Sequence, residues 1–361
     1  MTAQTVSLPT TGPSLSPSRA ADFKTCPLLF RFRTIDKIPE QPTADQMRGT
    51  LVHAVLERLF DLPAADRTPA AAAALVAPAW QSLLEAEPSL AELFTTAAPT
   101  QRPPAPPQVA PPVDAATPAP GATPPPAPSA APALASQPGA PVQRLDPAVL
   151  LAEADATGQQ ALIDLPAPDE AARLAAFLAS ATALLDGYFA VEDPQRLEPA
   201  EREALISTLV DETLLIRGYI DRLDVSPAGD LRVVDYKTGG APREAFEGRA
   251  LFQLKFYALV LWRTRGVVPR VLRLLYLKDA EICDYSPDAE ELERFERTLV
   301  ALSEAIERAK RDQDFRPKPS RLCGWCSHQA LCPEFGGTPP PFPTEAPVTI
   351  DLTPADDDRL G

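Results

Sequence analysis

The chain has 361 residues, 44 of them proline, with 6% aromatic residues and a formal net charge of −15. That acidity excludes a sequence-blind polyanion binder working through summed Lys and Arg contacts, but not an enzyme that meets nucleic acid in a local basic channel around bound cations. No basic start leads into an apolar block, and the longest uncharged run, residues 115–143, holds too many prolines to satisfy its backbone in lipid. Neither a signal peptide nor a membrane span is therefore expected, and the expected location is the cytoplasm.

Residues 1–15 are polar and rich in Pro, Thr and Ser, as a disordered tail would be. Ser16-Pro17 then offers an N-cap with proline at the first helical position, which predicts a short helix running toward Cys26. A second helix is marked by Leu51, Val52, Val55, Leu56, Leu59 and Phe60, and His53 falls at the border of that apolar stripe. The Ala-rich stretch 70–87 is compatible with a third. Between Pro99 and Pro141 there are 16 prolines in 43 residues, too little apolar side chain to offset ordering entropy, so 99–145 reads as a disordered insert.

Helical periodicity resumes over 169–191. Strands are expected over 204–210, 214–225 and 231–237, with Ser226-Pro227-Ala228-Gly229-Asp230 as the turn between the last two. A helix over 249–263, a strand over 271–278 and a charged helix over 288–311 follow. This order indicates a mixed α/β domain. The predicted organisation is a helical part at 16–98, a core at 146–312, a cysteine-rich segment at 313–335 and an acidic, Pro-rich tail at 336–361.

Two short motifs carry chemistry: Gly218-Tyr219-Ile220-Asp221-Arg222 and Asp235-Tyr236-Lys237-Thr238-Gly239. Residues two apart in a strand share a face, so Asp235 and Lys237 point together while Val234 and Tyr236 point away. A hairpin register that sets Asp221 across from Asp235 brings two carboxylates together. Like charges so placed repel unless a cation such as Mg²⁺ lies between them, with positions left for water and phosphate oxygens. The Lys237 ammonium would then assist the attacking water.

The five cysteines are too few and too uneven for a disulfide framework, but Cys323, Cys326 and Cys332 form C-x2-C-x5-C. A two-residue gap lets two thiolates face one centre, as zinc or an iron–sulfur cluster requires. Cys26, Cys283 and His328 are all candidates for the fourth ligand, and composition does not choose between the metals.

With His53, Gly-Tyr-Ile-Asp-Arg, Asp-Tyr-Lys-Thr-Gly and then Gln253 and Tyr257 at i, i+4, the chain resembles the PD-(D/E)xK nuclease superfamily, and within it the RecB-like exonucleases that include AddB-type and CRISPR-associated nuclease domains. The resemblance spans Ser16 to Cys332. It implies a restriction-endonuclease-like core, a central mixed sheet flanked by helices. It implies His53, Asp221 and Asp235 as ligands of Mg²⁺ or Mn²⁺, Lys237 as the catalytic lysine, and Gln253 and Tyr257 as contacts to the DNA backbone. It further implies a [4Fe–4S] cluster on Cys26, Cys323, Cys326 and Cys332 that ties the N- and C-terminal segments together, with Cys283 an ordinary strand cysteine.

The activity so implied is metal-dependent hydrolysis of DNA, single-stranded or with free ends, in repair or recombination. No phosphate-binding loop occurs, so any helicase would be a separate protein. The rival readings are a catalytically silent iron–sulfur DNA-binding or adaptor protein of the same fold, and a zinc-stapled structural protein.

Overall fold

The structure, a computed structural model, describes residues 12–95, 170–241 and 247–343. The expected insert at 99–145 and the flanking 96–98 and 146–169 lie outside the described residues, as do residues 1–11, 242–246 and 344–361.

Ser14–Leu15 form β1, so part of the segment expected as an N-terminal tail is a strand. α1 (Pro17–Thr25) starts where the sequence places it: the Ser16 side chain accepts from the Arg19 N–H and Pro17 occupies the first turn, where its missing N–H costs nothing. α2 (Pro27–Phe30) continues into a π-helical turn at Arg31–Ile35. α3 (Ala44–Leu59) opens with a capping box, in which Thr43 Oγ1 accepts from the Gln46 N–H at 3.2 Å and Gln46 Oε1 accepts from the Thr43 N–H at 2.8 Å. α4 (Pro69–Ala86) is capped by Thr68, and the short α5 (Glu92–Thr95) follows. α6 (Glu170–Val191) begins beyond the next described gap, and Arg173 Nε donates to the Phe94 carbonyl at 2.9 Å.

The strands are β2 (Glu201–Val210), β3 (Leu214–Val225), β4 (Leu231–Lys237), β5 (Val271–Tyr276) and β6 (Glu281–Tyr285). The helices α7 (Glu247–Arg265) and α8 (Ala289–Asp312) flank β5 and β6 in sequence. The sheet order is β1-β3-β4-β5-β6, and β2 also pairs with β3. β1/β3 and β4/β5 are parallel, and β2/β3, β3/β4 and β5/β6 are antiparallel. The chain is thus an α/β fold with a mixed central sheet flanked by helices. The parallel β4/β5 pair needs a long connection, and α7 supplies it.

Alternation along the strands divides the core into two. Val233, Leu272 and Leu274 pack with α1, α7 and α8 side chains such as Leu254, Phe256 and Leu292. Val234, Tyr236, Leu275 and Leu277 pack with Leu51, Val55, Trp80 and Leu185 from α3, α4 and α6. A helical layer therefore covers each face, and each strand brings one set of side chains to each layer.

By length and apolarity alone α6 could cross a membrane, contrary to the expectation that no span would qualify. Here it packs on α3 and α4, with Phe177, Ala181, Leu185 and Tyr188 buried. The start of the segment expected as a C-terminal tail is also packed: Phe342 stacks on Phe315 with ring centroids 6.0 Å apart, and Arg31 donates to the Pro340 carbonyl.

Candidate active site and cysteine cleft

β3 has β2 along one edge, while β1 and β4 share the other at opposite ends of the strand. The last β3/β4 pair is Arg222 with Val234, and one step further would set Asp221 opposite Asp235. There the ladder stops. The Tyr236 N–H donates instead to Asp221 Oδ2 at 2.7 Å, so a side-chain carboxylate takes the place of a backbone carbonyl and the two strands fork.

The same row extends to β2. Pairs 202/222 and 204/220 flank Glu203, which places it across from Asp221. Glu203 has φ +42°, in the left-handed region that a residue with a side chain enters only at a cost. This strained position brings Glu203 Oε1 to 3.6 Å from His53 Nδ1, and Asp221 Oδ2 also lies 3.6 Å from that nitrogen. Among the described residues, His53, Glu203 and Asp221 are the set whose ligand atoms lie within 4.8 Å of one another. Glu203 thus joins the expected ligands, and Asp235 stands beside the trio.

His53 reaches the fork from α3. Its Nε2 is 3.0 Å from the Tyr236 carbonyl, an acceptor only, so Nε2 carries a proton and Nδ1 is the nitrogen that faces the carboxylates. Burial works against charge on this ring, but Asp221, Glu203 and Asp235 outweigh it and raise the pKa to about 9.

Asp235 is almost wholly buried. Burial raises its carboxyl to about 6, with Lys237 pulling it down and Asp221 pushing it up. Lys237 Nζ lies 2.9 Å from Asp235 Oδ2, an ion pair to this buried oxygen. Burial likewise raises Asp221, opposed by His53 and reinforced by Glu203.

Three carboxylates, Asp235 buried and Glu203 and Asp221 partly exposed, together with His53 Nδ1 form a donor set that fits a hard divalent cation. Octahedral ligands about 2.1 Å from Mg²⁺ have edges of about 3 Å, so the 3.6 Å spacings leave only a small closure.

From the opposite face, α7 brings a second chain of contacts. Lys237 Nζ donates to Gln253 Oε1 at 2.9 Å, and Gln253 Nε2 donates to Tyr257 OH at 2.9 Å. The glycine of Gly-Tyr-Ile-Asp-Arg makes this approach possible, because a Cβ at Gly218 would lie 2.7 Å from Tyr257 Cε1. Behind the fork, the fully buried Arg222 donates to Glu192 at 2.7 and 2.8 Å and to Tyr236 OH at 2.9 Å, anchoring the strand pair that carries both aspartates.

The cysteines form a separate centre. Cys26, Cys323, Cys326 and Cys332 line one cleft. The Lys318 N–H donates to Cys26 Sγ at 3.4 Å and the Ser320 N–H to Cys323 Sγ at 3.2 Å. Burial raises the Cys326 and Cys332 thiols, and the charge of neighbouring cysteines, Cys26 among them, raises both further. Among the described residues, no three of these sulfurs lie within 4.8 Å of one another. The other candidate ligands are placed elsewhere: Cys283 lies on β6 opposite Leu274, and His328 Nε2 is 2.6 Å from Glu40 Oε1 with its ring against Phe32.

A solved structure titled "Crystal structure of SSO0001" is similar at 18% identity over 51% of this chain and 79% of that one, with a TM-score of 0.31, too loose a likeness to carry an argument. No individually curated protein matches. The family model described as "PD-(D/E)XK nuclease superfamily" matches residues 14–106 and 133–333, which contain the whole fork and all four cleft cysteines. With a mixed sheet, a carboxylate row at a strand fork and a lysine two residues beyond Asp235, the chain belongs to the PD-(D/E)XK nuclease superfamily.

Proposed function

We propose that this protein is a Mg²⁺- or Mn²⁺-dependent deoxyribonuclease of the RecB-like exonuclease kind, acting on single-stranded DNA or DNA ends in repair or recombination. The observation that carries this reading is the convergence of His53, Glu203 and Asp221 within 4.8 Å, beside Asp235 and Lys237. His53 Nδ1, Glu203 and Asp221 would hold the cation, with Asp235 beside them. A divalent ion in such a site supplies Lewis-acid charge to a phosphate oxygen and acidifies bound water.

The chain's own groups do the rest. The Tyr236 carbonyl holds the Nε2 proton, so Nδ1 is the nitrogen that would exchange its proton for the cation. Asp235 and Gln253 hold the Lys237 ammonium from two sides, where it offsets charge developing on the phosphate. Gln253 in turn donates to the hydroxyl of the buried Tyr257, which fixes the amide that holds the lysine.

We further propose a [4Fe–4S] cluster on Cys26, Cys323, Cys326 and Cys332. Backbone N–H groups directed at two of the sulfurs, Cys26 and Cys323, suit ligated thiolates. Ligands from both ends of the described chain make this centre part of folding.

A time course on end-labelled linear and on circular single-stranded DNA, with Mg²⁺ or with EDTA, tests the activity. Cleavage that needs the metal and a free end is expected. Equal loss of both substrates would make the enzyme an endonuclease, and no loss of either would leave the adaptor reading. Anaerobic purification giving a brown protein with broad absorbance near about 400 nm is expected for the cluster, and a colourless zinc protein would overturn it.

A further inference from the structure

The segment that carries three of the cysteines also presents an exposed aromatic residue. Trp325 is 86% exposed, far outside the usual habit of tryptophan, whereas Trp80 is buried and Trp262 packs on the core. It ends a 3-10 turn at Arg321–Trp325, in which residues three apart eclipse, so it shares a face with Leu322, itself 46% exposed.

The same region carries cations without acidic partners. Lys24, Lys318 and Arg321 are exposed, and none has a carboxylate at ion-pair distance among the described residues. In a chain of net charge −15, three such cations in one neighbourhood are a local exception. Lys318 Nζ donates to the Lys24 carbonyl at 3.0 Å, and Lys24 Nζ lies 4.1 Å from the centroid of the Phe252 ring. Phe252 directly precedes Gln253, which holds Lys237. The basic patch thus touches α7, the helix that also carries Gln253.

We propose that this surface is a clamp for single-stranded DNA, in which Trp325 stacks on a base and Lys24, Lys318 and Arg321 hold flanking phosphates. An exposed ring offers a π-face to any base, and neighbouring ammonium and guanidinium groups follow the backbone, which together give sequence-tolerant binding. A strand so held lies beside α7 and feeds the fork. The clamp rests on the nuclease reading of that fork for its purpose, but not for its binding.

Fluorescence anisotropy of labelled oligothymidylate on the full-length protein in EDTA is the test. W325A is expected to weaken binding by about tenfold or more and W325F by much less. K318E and R321E are expected to weaken binding and flatten its salt dependence by about 0.7 in log–log slope for each lost phosphate contact. Because Trp325 is so exposed, W325A should melt with the wild-type protein.

Equal affinity of W325A and wild type, or no binding of oligothymidylate by the wild type, would overturn the clamp and leave the exposed pair to a protein partner. A wild-type protein that binds through Trp325 but cleaves nothing in Mg²⁺ would sink the nuclease reading and leave the clamp standing. Metal-dependent cleavage of a long strand with an unchanged KM in W325A would do the reverse.

Discussion

His53 gives its Nε2 proton to the carbonyl of Tyr236, 3.0 Å away, and this one bond decides which ring nitrogen is left for a cation. The N–H of the same residue holds Asp221 at 2.7 Å, so a single β4 residue orients two ligands that are distant in the chain. Replacing His53 with Ala is expected to raise the Mg²⁺ concentration for half-maximal cleavage by about 10–100-fold. A metal titration of the cleavage rate checks this.

Glu203 combines a working position with a strained one. Its φ of +42° suits glycine, so E203G should be more stable than the wild type by about 1 kcal/mol in EDTA while losing most metal-dependent cleavage. Melting and cleavage measured on the same preparation would separate the two effects. A variant both less stable and fully active would contradict the assignment.

Lys237 is held by Asp235 and Gln253, each at 2.9 Å. Lys237→Ala removes the ammonium and is expected to slow single-turnover cleavage by roughly 10²–10⁴-fold. Gln253→Ala leaves the charge but frees it to move, and should cost less. Comparable rates for K237A and wild type would remove the catalytic role of the lysine.

Arg222 is a stability prediction. Its guanidinium is fully buried between Glu192, Asp224 and Tyr236, so Arg222→Met takes from the buried Glu192 its two-pronged partner, leaving it only Arg273 at 3.8 Å and leaving Asp224 to Arg232. A loss of about 3–5 kcal/mol in urea unfolding is expected.

Glu40 links the helical N-terminal part to the cysteine segment. Its bond to His328, opposed by burial and aided by Arg33, lowers its pKa from 4.5 to about 2. The unfolded chain therefore takes up this proton at higher pH than the folded one. The stabilisation is complete above about 4.5 and is lost as the pH falls through about 2. E40Q should be less stable than wild type by on the order of 1–2 kcal/mol at neutral pH, with the gap closing in acid.

Much of the fork was legible before any coordinates. Alternation placed Asp235 and Lys237 on one face, and the Ser226-to-Asp230 turn, with Gly229 at φ +88°, fixed the register that brings Asp221 toward Asp235. Glu203 was not legible. Its position depends on the β2/β3 register, which is set by a turn in which Asp211 and Glu212 both take positive φ, 49° and 57°, without the Asn-Gly or Gly signal that marks such turns. β1 escaped notice because two residues carry no period. The cysteine cleft could be anticipated from spacing, but the exposure of Trp325, which precedes Cys326 in the chain, could not, since an aromatic between two cysteines reads equally well as core.

The Arg173 bond to the Phe94 carbonyl has a practical corollary. It pins together the two places where residues 96–169 leave and rejoin the helical flank. The span between them can change in length at small closure cost, since that cost grows only logarithmically. An experimenter can therefore splice a reporter module between residues 107 and 132, the part outside the family match, and expect Asp221, Lys237 and the cysteine cleft to stay where they are.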